Sequence, residues 1–440
     1  MLLPSAIIIG GGLAGLSAAA ALGGAGWHVE LFETRAFLGG RATSWPVAGE
    51  DSETIDNCQH VLLRCCHNLL DFYSRLGVER MIRFYPEYFF LEPGGRKSTL
   101  KRGMLPPPMH FAGSFAGLKF LSIADKSAIA RAMLAVPKER RRTDLDRITM
   151  ADWLREQRQT PGATERYWRQ VLVSAINEEL DRMAASHGLQ VFWLGMLQSA
   201  RAYEMGIPDV PLRDLYSEDA LRKLGDVTLH GRTPATVLET RGGRVAGLLA
   251  GDALRTADHY ISAVPSERFG ALAPFLEFDA AQFEHSPITG IHLWFDRPVT
   301  SLPHATLLDR TVQWMFNKRE GRYVQLVVSA SRSLTAMSRP EIIALALQEM
   351  AEFFPAVQTA KLERAQVVKE VRATFSAKPG LEALRPLAQT ALPNFSLAGD
   401  WTRSGWPATM EGAVRSGYLA AEAAMRAQGR QQGFLIPDAA

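Results

Sequence analysis

A glycine-rich turn near the start of the chain constrains the fold more than any other feature of the sequence. Residues 6–9, AIII, are typical of a strand buried on both faces of a parallel sheet, and the helix-forming run Leu16–Leu22 follows. Between them Gly10, Gly12 and Gly15 form the pattern G-x-G-x-x-G. These glycines permit a tight turn, backbone approach to a pyrophosphate and close packing of helix on strand. The sequence therefore predicts a Rossmann-like α/β domain that binds a dinucleotide at the helix N-terminus.

A second strand and an acidic residue follow at the spacing expected for such a domain. The strand covers residues 28–32 and ends at Glu33, about 20 residues past the glycines. A carboxylate at this position binds ribose hydroxyls and would repel a 2′-phosphate, which argues against NADP. Gly39, Gly40 and Arg41 come directly after this unit.

The far end of the chain carries another strand, turn and helix. Residues 395–398 are predicted to form a strand and Gly399 and Asp400 a turn. A long helix is predicted to begin near Pro407, because proline suits a first helical turn. Small side chains recur at helical spacing, at Gly412, Ala413, Ser416, Gly417, Ala420 and Ala421. This helix can therefore press closely against another backbone or a flat ring.

Together the two ends resemble the FAD motifs of the amine oxidase and carotenoid desaturase superfamily of flavoproteins. The resemblance implies FAD as cofactor, in a discontinuous Rossmann-like domain with an inserted α+β substrate domain. It implies that Gly39, Gly40 and Arg41 wrap the pyrophosphate and that Asp400, after Gly399, bonds a ribityl hydroxyl. It also places Thr236 and Val237 near the adenine, and it borders the flavin with Met410, Glu411, Gly412 and Ala413.

If both ends hold one cofactor, the middle of the chain must contain insertions. We predict an FAD-binding domain built from residues 1–68, 206–266 and 388–440. Residues 69–205, which we expect to be mainly helical, and residues 267–387, which offer strands, would form the substrate domain.

One inserted segment, residues 106–142, combines apolar stretches, scattered lysines and a basic end. Such a segment can rest in a bilayer interface or gate an apolar tunnel. The alternative is a pair of helices packed on the core.

The composition of the chain limits the cellular location and the binding partners that we expect for the protein. The 440 residues include 49 Lys and Arg against 46 Asp and Glu, and the net charge of +3 is too weak to indicate nucleic-acid binding. Three cysteines in so long a chain suggest a reducing compartment, so we expect a cytoplasmic protein. We see no signal peptide and no apolar run near the roughly 20 residues of a spanning helix. Any membrane contact should therefore be peripheral, on the inner face of the cytoplasmic membrane.

Candidate catalytic residues follow the first FAD section, in the stretch IDNCQHVLLRCC. Asp56, Asn57, Gln59 and His60 place four polar groups in five positions before an apolar run, which is costly unless they meet cofactor or substrate. His60 can donate a proton near neutral pH, and its alternative is a hydrogen-bonded core histidine.

Other reactive side chains fit structural roles better. Cys65 and Cys66 are adjacent and lack a C-x-x-C frame, so buried structural thiols are favoured over a nucleophile. A structural role is also favoured for His292. Glu178, Glu179 and Asp181 lack a metal-ligand pattern and are expected on a helix surface, and we predict no metal.

Five segments between residues 56 and 417 sharpen the resemblance to one family. DNCQHVLLRC, HLWFDRPV, VQWMFN, RATFSAKPGLEALRP and LAGDWTRSGWPATMEGAVRSG resemble hydroxysqualene dehydroxylase, also described as squalene-associated FAD-dependent desaturase. The resemblance implies reduction of the allylic alcohol hydroxysqualene to squalene in a route that can feed hopanoids. It also implies an apolar C30 isoprenoid in a long tunnel, hydride from reduced flavin and help for a poor leaving group. His60, Gln59 and Asp56 are then the candidate catalytic residues, although Cys58 stands where the family usually has glycine.

Three alternatives stay open. A carotenoid-type desaturase would keep the fold and reverse the redox direction. An amine oxidase would want an aromatic cage, to which Trp401 and Trp406 could contribute. A non-catalytic prenyl-binding protein would use no flavin chemistry. Since we find no second dinucleotide fingerprint, reduced flavin is expected to come from a separate reductase or an external reductant.

Overall fold

The computed structural model describes residues 3–47 and 53–438. Residues 1–2, 48–52 and 439–440, which belong to the predicted FAD-binding segments, lie outside the described residues. The described part contains a five-stranded sheet, a seven-stranded sheet, three smaller sheets and the helices that connect them.

The first sheet is parallel and joins strands from the beginning, the middle and the end of the chain. Ile7 and Ile8 in its central strand are fully buried, as expected for a strand covered on both faces. In spatial order its five strands are Val227–His230, His28–Phe32, Ser5–Ile9, His259–Ser262 and Phe395–Leu397. The predicted α/β fold class is confirmed, whereas the residue boundaries of the two domains remain a prediction.

Helices Leu13–Gly24 and Met410–Ala427 pack against each other beside this parallel sheet. A Cβ atom on Gly417 would lie 2.1 Å from Ser17 Oγ and 2.2 Å from the Ala14 carbonyl oxygen, so the contact requires glycine. The second helix begins three residues later than expected, because the Thr409 hydroxyl caps it by accepting from the Gly412 N–H at 3.0 Å. The two ends of the chain are thereby joined through backbone contact.

The second sheet has seven strands and comes mainly from the inserted segments. On one face Leu293, Met315 and Leu326 form a core under the helix Arg339–Phe353. In spatial order the strands are Leu362–Phe375, His285–Phe295, Tyr323–Ser329, Trp314–Arg319, His304–Leu307, Glu87–Leu91 and Lys97–Lys101. We call it the seven-stranded sheet.

Residues 69–205 are mainly helical, as expected, and they also contain strands. They contribute strands of the seven-stranded sheet and a further strand, Ile82–Tyr85, because residues 82–91 are rich in aromatic side chains. The helices of this region are His67–Arg75, Ala112–Ala116, Ile123–Glu139, Met150–Glu156, Pro161–Ala163, Gln170–Ile176 and Ala185–Phe192.

Smaller elements connect these parts. Short sheets pair Ser44–Pro46 with Thr54–Asp56, Met205–Pro208 with Leu62–Leu63 and Ile82–Tyr85, and Arg244–Ala250 with Ala235–Arg241 and Ala253–Arg255. The remaining α-helices of the described chain are Glu218–Arg222, Ser266–Leu272 and Leu381–Leu384.

The segment 106–142 divides into a packed part and an exposed part. Helix Ile123–Glu139 buries Ala128, Ala132 and Val136 in the core, as in the packed-helix alternative. Four apolar side chains at and before its start are exposed, at Met104, Leu105, Met109 and Ile123. Within the described residues, no helix is long and apolar enough to cross a membrane.

Candidate active site

Two glycine turns meet at the carboxyl end of the central parallel strand. Gly10 has a φ of +109° and directly follows the strand, and Gly12 is the N-cap of the helix Leu13–Gly24. The Gly39 N–H donates to the Gly11 carbonyl oxygen at 2.8 Å, and a Cβ on Gly40 would lie 3.1 Å from Gly12 Cα. The two turns therefore stand back to back, with partly exposed backbone at a helix N-terminus.

Gly15 is required for this arrangement. A Cβ there would lie 1.9 Å from the Gly10 carbonyl oxygen, so any side chain would push the helix away from the turn. The tight packing of strand, turn and helix predicted from the glycine spacing is what the structure contains.

Glu33 stands beside the first turn. Its Oε2 accepts from the Gly11 N–H and its Oε1 from the Arg35 N–H, each at 2.8 Å. The carboxylate is thus fixed against the turn, and its oxygens keep lone pairs for ribose hydroxyls.

The Gly-Gly-Arg loop meets the second FAD pattern. Arg41 Nη2 donates to Asp400 Oδ1 at 2.5 Å, and Arg41 Nη1 donates to the Ala373 carbonyl at 3.0 Å. Gly399 has a φ of +135°, and its N–H donates to the Ser416 hydroxyl at 2.8 Å. Residues 359 positions apart therefore form one charged pair between the two glycine-rich ends of the chain.

The first residues of helix Met410–Ala427 differ from one another in exposure and contacts. Met410 and Ala413 are partly exposed, and a Cβ on Gly412 would lie 2.5 Å from the Pro407 carbonyl oxygen. The Glu411 carboxylate is buried and accepts from the N–H groups of Asn68 and Leu69 and from the Asn68 amide. Burial raises the pKa of Glu411.

Glu411 therefore differs from its neighbours in what its side chain does. The side chain joins two helices and is turned to Asn68 and Leu69, which leaves only its backbone at the predicted flavin border. Its position in the sequence could not reveal this, because Asn68 is 343 residues away.

Val237 lies in the short strand Ala235–Arg241. It is partly exposed, next to a register shift in the strand Ala235–Arg241. The chain just before it is tied to the backbone of Glu33, since the Thr233 N–H donates to the Glu33 carbonyl oxygen at 3.0 Å. Val237 thus remains a candidate for the adenine end.

These features fit a bound FAD. Because neither Gly12 nor Gly40 has a Cβ, the two turns lie against each other and their backbones can both approach a pyrophosphate. The residues that would hold the cofactor are Gly10, Gly12, Gly15, Glu33, Gly39, Gly40, Arg41, Val237, Gly399, Asp400, Met410, Gly412 and Ala413, with Glu411 through its backbone.

The segment 56–60 lies under the Gly-Gly-Arg loop, because the Asn57 amide donates to the Arg41 carbonyl oxygen. The Asp56 carboxylate is buried and accepts from the Ser44 hydroxyl at 2.6 Å and from the Leu212 N–H at 3.0 Å. Asp56 is therefore held by the fold on one oxygen, which favours a supporting role over direct proton transfer.

His60 and Gln59 complete this segment. His60 is half-buried, and its Nδ1 lies 2.9 Å from the Cys58 carbonyl oxygen, so Nδ1 carries the proton and Nε2 is left to titrate. Burial lowers the pKa of His60, and the Cys58 carbonyl and Asp56 oppose the shift. Gln59 donates to the His60 carbonyl at 3.1 Å.

The sequence prediction missed Lys318. Its Nζ donates to Gln59 Oε1 at 2.9 Å and lies 3.7 Å from Asp56 Oδ2. A lysine at the end of the apolar strand WMFNKR was the available signal, but its contact with Gln59 spans 259 residues.

The other reactive groups are structural. Burial raises the pKa of the Cys58 thiol to about 12, and Cys58, Cys65 and Cys66 are free thiols. His292 is fully buried, with Nδ1 2.7 Å from the Tyr323 hydroxyl.

Glu178 is not on a helix surface, contrary to expectation. It is fully buried, and Arg332 donates to both of its oxygens at 2.7 Å. The partner lies on a distant segment, which local charge patterning could not indicate. Among the described residues no group of His, Cys, Asp and Glu could hold a metal ion.

The fold and the cradle define an α/β dinucleotide-binding oxidoreductase. The chain belongs to the family described as flavin containing amine oxidoreductase, which matches residues 13–425. FAD is therefore the expected cofactor, and the chain is an FAD-dependent oxidoreductase.

Two relatives indicate the group within this family. The chain is 29% identical to a hydroxysqualene dehydroxylase of Zymomonas mobilis, over 95% of this chain and 98% of the relative. It is 26% identical to a 15-cis-phytoene desaturase of Synechococcus elongatus, over 97% and 96%. Within the family it is thus similar both to a carotenoid desaturase and to a hydroxysqualene dehydroxylase.

A solved structure supports the fold alone. An oxidoreductase from Methanosarcina mazei aligns with a TM-score of 0.72 at 17% identity, covering 94% of this chain and 98% of that protein.

Proposed function

We propose that this protein is a hydroxysqualene dehydroxylase, which removes the allylic hydroxyl of hydroxysqualene reductively to give squalene. The product would feed squalene and hopanoid biosynthesis. The observation that carries the proposal is the polar cluster of Asp56, Gln59, His60 and Lys318, packed between the Gly-Gly-Arg loop and the seven-stranded sheet. Removal of a hydroxyl needs such groups, because hydroxide is a poor leaving group unless it is protonated.

The chemistry assigned to these residues is proton delivery. Reduced FAD, when bound, supplies a hydride. The chain then has to give one proton to the hydroxyl oxygen, so that the C–O bond breaks with loss of water and a C–H bond replaces it. His60 Nε2 is the proton donor in this proposal, because Nδ1 is occupied by the Cys58 carbonyl.

A carotenoid-type desaturase is the second candidate, since the relatives support it equally. Desaturation removes hydrogens from a hydrocarbon and leaves no oxygen to be protonated. A purely apolar substrate would give His60 no oxygen to protonate, which favours the dehydroxylase.

The positions of the two tryptophans do not support the aromatic cage of the amine oxidase alternative. Trp401 packs among Phe269, Phe278 and Phe283, with its indole N–H on the Val264 carbonyl at 3.0 Å. Trp406 belongs to a separate cluster with Cys65, Leu194 and Ala202. The two rings therefore do not face each other across one site.

The substrate and the reductant imply partners. We propose that the exposed apolar side chains at residues 104–123 contact the membrane from which a C30 isoprenoid is taken. We further propose that an external reductant or a separate reductase supplies the electrons, and that the protein works on the cytoplasmic face.

The test is anaerobic single turnover. FAD-loaded protein is photoreduced and mixed with hydroxysqualene in detergent, while flavin absorbance is followed and products are identified by mass spectrometry. Squalene formed in step with flavin reoxidation is the expected result. Flavin reduction when the oxidised protein meets squalene or phytoene, with no turnover of hydroxysqualene, would establish the desaturase instead.

A further inference from the structure

The segment 56–60 contacts the Gly-Gly-Arg loop on one side and the seven-stranded sheet on the other. Asn57 binds the Arg41 carbonyl oxygen on one side. On the other side the segment presses on the seven-stranded sheet, where a Cβ on Gly290 would lie 3.0 Å from the Asn57 carbonyl oxygen. Its position is therefore set jointly by the cofactor loop and by the sheet.

Lys318 is the polar link on the sheet side. It reaches from the strand Trp314–Arg319 and donates to Gln59 Oε1 at 2.9 Å. Its second neighbour is Asp56 Oδ2 at 3.7 Å, while Asp56 Oδ1 is already taken by Ser44 and Leu212. The ammonium thus joins a fixed carboxylate to the side chain that holds the His60 carbonyl.

We propose that Lys318 is a positioning residue for His60, which fixes Gln59 against the seven-stranded sheet and places a positive charge beside the imidazole. This inference rests on the proposed function for the role of His60. It adds a residue of the seven-stranded sheet that the predicted site did not contain.

The charges around His60 agree with this assignment. Burial lowers the pKa of His60, the Cys58 carbonyl and Asp56 oppose the shift, and Arg41 and Lys318 add to it as nearby cations. Burial also lowers the pKa of Lys318, and Asp56 opposes that shift and favours the charged ammonium. Removing the Lys318 charge should therefore make His60 easier to protonate.

The first experiment needs no substrate. The FAD-loaded full chain is labelled with ¹³C at histidine Cε1, and the His60 signal is assigned by its loss in His60→Gln. Its NMR titration is then compared with that of Lys318→Met and Lys318→Gln. We expect the His60 midpoint to move to higher pH in both variants and to stay in place in Lys318→Arg.

A matched control removes the neighbouring cation. Arg319 follows Lys318 directly but is exposed and pairs with Glu53. Arg319→Met should leave the His60 midpoint unchanged. An unchanged midpoint in both folded neutral Lys318 variants, or an equal movement in Arg319→Met, would overturn the proposal.

The second experiment measures turnover. In Lys318→Met we expect the limiting single-turnover rate with hydroxysqualene at low pH to fall roughly tenfold, while the pH profile moves with the NMR midpoint and FAD affinity is unchanged. If wild-type protein does not turn over hydroxysqualene, the proposed function fails while the NMR titration still decides the role of Lys318.

Discussion

At the residue scale, His60 is the group whose ionisation matters most for the proposed chemistry. Burial lowers the pKa of His60, so at neutral pH the imidazole is neutral and Nε2 carries no proton. The acid form appears only as the pH falls toward that pKa. The neighbouring Cys58 does not take over this role, because burial raises the pKa of its thiol to about 12.

The single-turnover rate of the reduced protein should therefore rise as the pH is lowered through the His60 pKa. General acid catalysis contributes about 10²–10⁴ to a rate, so His60→Gln should lose about that factor together with the acidic rise. Stopped-flow flavin reoxidation between pH 8 and pH 5, chosen as about the range in which histidine titrates, measures both. An identical pH profile in His60→Gln would remove His60 as the proton donor.

At the element scale, the contact between helices Leu13–Gly24 and Met410–Ala427 joins the two cofactor motifs. Gly417→Ala would place a methyl group 2.1 Å from Ser17 Oγ, which forces the helices apart. We expect a loss of about 3 kcal/mol in the free energy of unfolding and weaker FAD binding. Thermal melting and FAD release measure the two effects.

Gly270 provides the matched helical control. It lies in the helix Ser266–Leu272, and a Cβ atom added there would have no heavy atom within 4 Å. Gly270→Ala should raise stability by about 1 kcal/mol through helix propensity. Equal effects of the two substitutions would contradict close helix packing as the reason for glycine at position 417.

The seven-stranded sheet contains a histidine that should make stability depend on pH. His304 is buried among the rings of Tyr85, Phe89 and Trp314, and neither ring nitrogen has a partner within the described residues. Burial lowers its pKa to about 4, compared with about 6.5 in the unfolded chain. The contribution of neutral His304 to the free energy of unfolding is therefore complete above about pH 6.5. This contribution falls by at most about 3 kcal/mol as the pH is lowered to about 4.

His304→Phe should flatten this acid loss and raise stability at pH 5, since it removes a buried polar group without partners. Urea unfolding midpoints at pH 7 and pH 5 measure the effect, with a substitution of the half-exposed His28 as control. A slope as steep as in the wild type would show that other groups dominate the acid loss.

At the scale of the whole molecule, sequence reasoning succeeded where chemistry is local. Gly10, Gly12 and Gly15 lie within six positions, and the turn, the helix and a dinucleotide site follow from their spacing. Lys318 and the buried pair of Glu178 with Arg332 were missed, because each contact joins residues that are distant in the sequence. Whether a charged side chain is buried depends on such distant partners. The periodicity of the sequence carries no information about them.

At the surface of the molecule, one segment combines exposed apolar side chains with lysine and arginine. The exposed side chains of Met104, Leu105, Met109 and Ile123 lie in a segment with Lys101, Arg102, Lys119 and Lys126. Apolar side chains beside cations favour the interface of an anionic bilayer. The full chain should therefore sediment with phosphatidylglycerol vesicles, and less so at high salt.

Replacing Met104, Leu105 and Ile123 by glutamine should weaken vesicle binding by about tenfold or more, because each buried apolar side chain contributes about 1.5–3 kcal/mol. Leu384 and Leu387 are also exposed but lie in a different part of the chain, so their replacement by glutamine is the matched control. Single turnover with hydroxysqualene in detergent should be the same in both variants, since neither alters the polar cluster. If the control weakens vesicle binding as much as the triple variant, adhesion is a general property of the surface and residues 104–123 are not the membrane contact.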